Sequence, residues 1–145
     1  MKSKSEIAGE IFGKGFNCAQ AVFSSRCREF GLPEETAKKI ACGFGSGISS
    51  TSEVCGAVTG AVMLIGLKYG KFLEEDKESK DRTYKIVSQF ISKFREELGS
   101  INCTELLKYD LSKEGELQKA RESGIFKELC PVLVKKSVEF LEQFL

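Results

Sequence analysis

Six cysteines and no histidine are the residues through which this 145-residue chain could do chemistry. Four of the six stand beside helix-start signals. Cys18 follows Asn17, a good N-cap. Cys55 lies behind Ser50-Thr51-Ser52-Glu53, whose Ser50 and Glu53 have capping-box spacing. Cys103 follows Asn102, with Glu105 completing a box-like start. Cys130 precedes Pro131, and proline favours the first helical position, which would make Cys130 the cap itself. The first four N–H groups of a helix lack internal partners, and the aligned peptide dipoles add partial positive charge there. Both favour thiolate, the form that attacks disulfides and binds metals, and a helix start can lower a cysteine pKa below its free value of about 8.5. The other two cysteines lack this setting. Cys27 falls late in a helix on an apolar stripe with Phe23 and Phe30, and Cys42 ends a helix, where the dipole disfavours a thiolate. Both read as structural.

What is missing narrows the chemistry further. Without histidine there is no Ser-His-Asp or Cys-His nucleophile, no imidazole ligand for zinc and no histidine-ligated haem. A net charge of +1 gives no electrostatic case for nucleic acid or an anionic membrane surface. The opening MKSKSEIAGEIF has no apolar h-region, and the apolar run 54–67 is too short to span a bilayer, so the expectation is a cytoplasmic protein with no membrane span. In that reducing compartment six cysteines point to redox or metal chemistry rather than structural disulfides. The glycine loop GFGSG, 43–47, follows a helix instead of a strand and has no Walker lysine, which excludes a phosphate cradle. Its proximity to Cys55 suggests instead backbone N–H groups directed at sulfur. Carboxylate pairs such as Glu34-Glu35, Glu74-Glu75 and Glu96-Glu97 lie in charged, surface-like stretches and read as solvated.

The elements that must position the cysteines are helical almost throughout. Length favours one domain over 1–145, and 41% hydrophobic with 30% charged residues is ordinary for a globular protein. Periodicity and caps predict helices over 5–12, 17–30 and 33–42, a Gly/Ser-rich loop over 42–52, and a helix over 53–69 that is apolar on nearly every side and belongs at the centre. Gly56 and Gly60, four apart, strip one face of that helix so that another backbone can approach. The charge run 74–82 reads as a linker or helix start. Helices over 83–98 and 103–108, a polar stretch over 110–124 and a last helix from Pro131 complete the chain. No segment sustains strand alternation. The fold class is therefore all-α, a compact bundle around a central apolar helix with short connections.

The hexapeptide Cys55-Gly56-Ala57-Val58-Thr59-Gly60, with FNCAQAV around Cys18, INCTELL around Cys103 and LCPVLV around Cys130, resembles the C-GCAxxG-C-C family of proteins to which redox activity is ascribed. The family label writes glycine before cysteine, whereas here the cysteine comes first. The resemblance spans nearly the whole chain and implies redox function at Cys18, Cys55, Cys103 and Cys130, leaving Cys27 and Cys42 outside.

Two chemistries suit four such cysteines. The favoured one is thiol–disulfide redox, with one cysteine attacking and another resolving and no cofactor required. With no C-x-x-C pair in the chain, the partners must meet through tertiary contact, and sequence does not choose among the three pairings. The alternative is a four-thiolate metal site, iron–sulfur or zinc, serving electron transfer or redox sensing. The separations from 18 to 55 to 103 to 130 match neither zinc ribbons nor ferredoxins. A third reading is a structural or interaction protein with packed cysteines. The partner expected is an unidentified redox partner, and a homo-oligomer is compatible with all three readings.

Overall fold

A computed structural model describes residues 1–145. It contains eight helices and no sheet: α1 (Lys4–Gly13), α2 (Cys18–Arg26), α3 (Glu34–Ala41), α4 (Gly56–Tyr69), α5 (Lys77–Leu98), α6 (Cys103–Leu107), α7 (Glu116–Ser123) and α8 (Ile125–Leu141). The all-α expectation holds. An isolated antiparallel bridge between Val54 and Asn102 is the one piece of β pairing.

The apolar helix is central, as its sequence demanded. α4 buries Ala57, Val58, Ala61, Leu64 and Ile65, and its most extensive partner is α2. The glycine face makes that pairing close. A Cβ on Gly56 would stand 2.8 Å from the Ala19 nitrogen and 3.1 Å from Cys18 Cβ, and one on Gly60 would stand 2.9 Å from the Ala19 carbonyl oxygen. The two backbones therefore meet where only hydrogen fits, and the start of α2 is drawn against the start of α4. α8 closes the other side. Its Ser137, fully buried, donates to the Ala57 carbonyl at 2.7 Å, which satisfies an otherwise costly buried hydroxyl and fixes α8 against the first turn of α4. α1 packs along α8 and α2, while α5 contributes Phe90 and Phe94 to a cluster with Phe140 and Phe144, ring centroids 6.1–6.5 Å apart. Arg26, buried at the end of α2, is held by Glu29 at 2.8 Å and lies 3.6 Å from Glu142.

Several boundaries differ from the sequence expectation. The helix expected over 17–30 tightens after Arg26 into a 3₁₀ turn, Cys27–Phe30. α4 begins at Gly56, not residue 53, because the bridge at Val54 keeps the chain extended up to the cysteine. Ser50 has a φ of 64° and forms no capping box. α5 begins within the charge run: Asp76 caps it by accepting from the Ser79 N–H at 3.0 Å, and its first turns are exposed, so no apolar stripe announces them. The last helix starts at Ile125 and carries Pro131 in its interior. Proline there forfeits a hydrogen bond to the carbonyl four residues back, a cost of about 3 kcal/mol in an exposed helix. The apolar series Phe126, Cys130, Leu133, Val134, Val138 and Leu141 runs through it at helical spacing and packs on the core, which outweighs the local penalty.

Candidate functional site

The residue that begins α2 is Cys18. Asn17 caps the helix with a reciprocal box: its side-chain oxygen accepts from the Gln20 N–H at 2.9 Å and its own N–H donates to Gln20 Oε1 at 3.0 Å. Asn17 Nδ2 also donates to the Cys42 carbonyl at 2.9 Å, pinning that cap to the end of α3. Cys103 is the first residue of α6, although Asn102 makes no side-chain cap and the Glu105 box does not form. Cys55 is the N-cap of α4, the position usually held by a serine, threonine or aspartate oxygen. Cys130 departs from expectation. It is not a cap but lies in the second turn of α8, because the helix starts six residues before Pro131.

The starts of α4 and α6 are stapled together. The Cys55 N–H donates to the Ile101 carbonyl at 2.8 Å, and the Cys103 N–H donates to the Glu53 carbonyl at 2.7 Å. These two bonds frame the antiparallel Val54–Asn102 bridge and place Cys55 and Cys103 at its opposite ends, each one residue past it on its own segment. The glycine loop supplies the adjoining wall. Ser46, Gly47, Ile48, Ser49 and Ser50 all have φ between 51° and 66°, a left-handed turn that costs roughly 1–2 kcal/mol at each non-glycine residue. Ile48, β-branched, is the most strained of them. Gly47 is required twice over: for its φ, and because a Cβ there would stand 2.7 Å from Cys103 Cβ. Its carbonyl accepts from the Glu53 N–H at 2.8 Å and from Thr51 Oγ1 at 2.9 Å, which holds the strained turn against the bridge.

All four cysteines line one cavity of about 240 Å³. Its wall is mostly apolar, with Phe12, Phe16, Leu106, Phe126 and Leu133, and Ser46 and Gly47 from the left-handed turn. Cys18, Cys55, Cys103 and Cys130 are 4–9% exposed, whereas Cys27 is 0% exposed and packed in the core. The residual exposure of the four is what a small molecule in the cavity could reach. Cys42 is exposed elsewhere on the surface, so it does not serve the core as a structural residue would. All six cysteines are free, and no group of three or more His, Cys, Asp or Glu side chains is placed to hold a metal ion.

Burial, not the helix start, dominates the protonation of two of these sulfurs. The Cys55 thiol is pushed up to about 12, mainly by desolvation. The N–H groups of Ala57 and Val58, the second and third helical residues, pull it back down, yet neither makes a full capping hydrogen bond. Cys103 is pushed up to about 11, again by desolvation first, with repulsion from Cys130 next and the Ser52 hydroxyl opposing. Ser52 is buried with a φ of 62°, accepts from the Leu111 N–H at 3.1 Å and donates weakly to the Tyr109 carbonyl at 3.3 Å. Cys18 and Cys130 behave as a pair. Interaction between the two side chains, with burial, holds the Cys18 thiol well above its ordinary value, and the same interaction draws Cys130 below its own. The expectation that dipoles at helix starts would favour thiolates is not met at Cys55 and Cys103, where burial raises both thiols.

Ser52 and Arg121, the latter also lining the cavity, carried no sequence signal of their own. Gly47 did, as part of the loop noted beside Cys55, though it abuts Cys103 instead. No curated protein and no solved structure matches the chain. A family model described as "Putative redox-active protein (C_GCAxxG_C_C)" matches residues 16–144, a span that contains all four cavity cysteines. The chain belongs to the C_GCAxxG_C_C family.

Proposed function

We propose that the cavity cysteines form a thiol–disulfide redox centre whose first working pair is Cys130 and Cys18. One observation carries this reading: the four cysteines, far apart in sequence, line a single cavity that Cys27 and Cys42 do not reach. In the reaction the Cys130 thiolate attacks one sulfur of a disulfide substrate. The substrate S–S bond breaks, one thiolate leaves, and a mixed disulfide remains on Cys130. Cys18, giving up its proton to a departing thiolate, then attacks the Cys130 sulfur and releases the second half. The substrate is reduced by two electrons to one thiol and one thiolate, which takes its proton from water, and the protein is oxidised to a Cys18–Cys130 disulfide. Cys55 and Cys103 flank opposite ends of the antiparallel Val54–Asn102 bridge and supply two further thiols to the same cavity. Their raised pKa values keep them as thiols near neutral pH, a reserve rather than the attacking pair.

Anaerobic purification followed by thiol titration tests the reading. Reduced protein should show six thiols on denaturation, and oxidation by a small disulfide should remove cavity thiols in pairs while buried Cys27 persists and exposed Cys42 reacts singly. Iron or zinc in stoichiometric amount, with or without acid-labile sulfide, would replace this reading with a metal centre. Retention of all six thiols under oxidising conditions would leave only packed cysteines.

A further inference from the structure

The cavity's lining contains one charged side chain, Arg121, and no carboxylate. Arg121 sits in the last turn of α7 and makes no ion pair or side-chain hydrogen bond, while its neighbour Glu122 accepts from Gln118. The residues three and four away along the helix are Leu117, Gln118, Gly124 and Ile125, so no acidic partner is available on its own face. A cation in the last turn suits the helix dipole, which explains a positive charge on α7 but not its place on the wall of an otherwise apolar cavity. Nor does Arg121 act on the sulfurs: it is not among the groups that shift Cys130 or Cys103. Arg121 is exposed, whereas the four cysteines are buried, so Arg121 marks the mouth and the cysteines the floor.

We propose that the cavity takes a small organic disulfide bearing a carboxylate, which Arg121 holds at the mouth while Phe12 and Phe126 contact its apolar stem and its S–S bond reaches Cys130 and Cys18. This assignment of substrate class rests on the dithiol reading above. Guanidinium–carboxylate pairing is planar and bidentate, and it orients as well as attracts. A volume of about 240 Å³ lies just below the usual 300–1,000 Å³ of drug-sized pockets, so the substrate is a low-molecular-weight disulfide, not a folded protein's.

The test uses three small disulfides with the full reduced chain: bis(carboxymethyl) disulfide, neutral bis(2-hydroxyethyl) disulfide and cationic cystamine. Single-turnover loss of protein thiols is followed for the native protein, Arg121→Gln and Arg121→Lys. The expected result is a loss of about tenfold in rate on the carboxylate probe for Arg121→Gln, with the neutral probe unchanged, partial retention by Arg121→Lys, and a preference that shrinks at high salt. The unchanged neutral rate also shows that Arg121→Gln folds. Equal rates for native protein and Arg121→Gln on the carboxylate probe, or an equal fall on all three probes, would overturn the role of Arg121 while leaving the dithiol reading intact. Failure of the native protein to reduce any of the three would instead sink the dithiol reading, and this proposal with it.

Discussion

Replacing Gly60 by alanine, with Gly66→Ala as its twin, isolates the close approach that brings Cys18 to the cavity. Both glycines lie inside α4, so both substitutions gain the same intrinsic helix preference, about 0.8–1 kcal/mol. Their surroundings differ. The new methyl at 66 meets nothing within 4 Å, whereas the one at 60 would stand 2.9 Å from the Ala19 carbonyl oxygen, 3.0 Å from Val22 Cβ and 3.3 Å from Ala19 Cα. Two of those three atoms are backbone, so relief requires α2 and α4 to separate. Overpacking of this kind costs about 1–3 kcal/mol. Gly66→Ala should therefore stabilise by up to about 1 kcal/mol, and Gly60→Ala should fall below it by about 1–3 kcal/mol. With an m-value of about 2 kcal/mol/M in urea, the two unfolding midpoints should differ by about 0.5–1.5 M at equal slope. Because Cys18 begins the displaced helix, Gly60→Ala should also slow formation of the Cys18–Cys130 disulfide, and Gly66→Ala should not. Equal midpoints for the two variants would refute the claim that glycine at 60 is there to let the helices touch.

Two further outcomes follow from burial and charge. Glu29 is held at about 2 by hydrogen bonding to Arg26, against an ordinary 4.5. Its folded pKa is depressed, so its contribution is present above pH 4.5 and is lost as pH falls toward 2; with the side chain 34% exposed, that contribution is about 1 kcal/mol. Glu29→Gln should lower stability at pH 7 by about that amount and flatten the acid limb of a pH–stability curve; an unchanged acid limb would assign the loss to other carboxylates. Native-state labelling with a bulky thiol reagent should modify exposed Cys42 fastest, the four cavity cysteines more slowly, and Cys27 only at the rate of unfolding. Early labelling of Cys27 would contradict its place in the core.

The sequence made the helices, the central position of 56–69 and the Asn17 cap legible, because each is a local pattern: apolar spacing, a capping residue, a run with no polar face. It also pointed to the four cysteines that meet in one cavity. What it did not carry is tertiary. Pro131 reads as a helix start by local rule, yet the apolar stripe through Cys130 and Leu133 carries α8 across it. Helix-start placement suggested thiolates at 55 and 103, but how much water reaches a sulfur depends on what packs over it, and desolvation exceeds the pull of the N–H groups at Cys55 and of the Ser52 hydroxyl at Cys103. Arg121 is one of three cations in a polar stretch, distinguishable from Lys113 and Lys119 only once α7 is seen against the cavity.

The most direct measurement of the central claim is a disulfide map. Reduced protein is equilibrated anaerobically in glutathione buffers of rising oxidising poise, acid-quenched, alkylated and digested, and the linked peptides are identified by mass. The first intramolecular crosslink should join Cys18 to Cys130, with Cys27 recovered alkylated and Cys42 in no intramolecular link. A first crosslink that excludes both Cys18 and Cys130, or full alkylation of all four cavity cysteines at every poise, would contradict it.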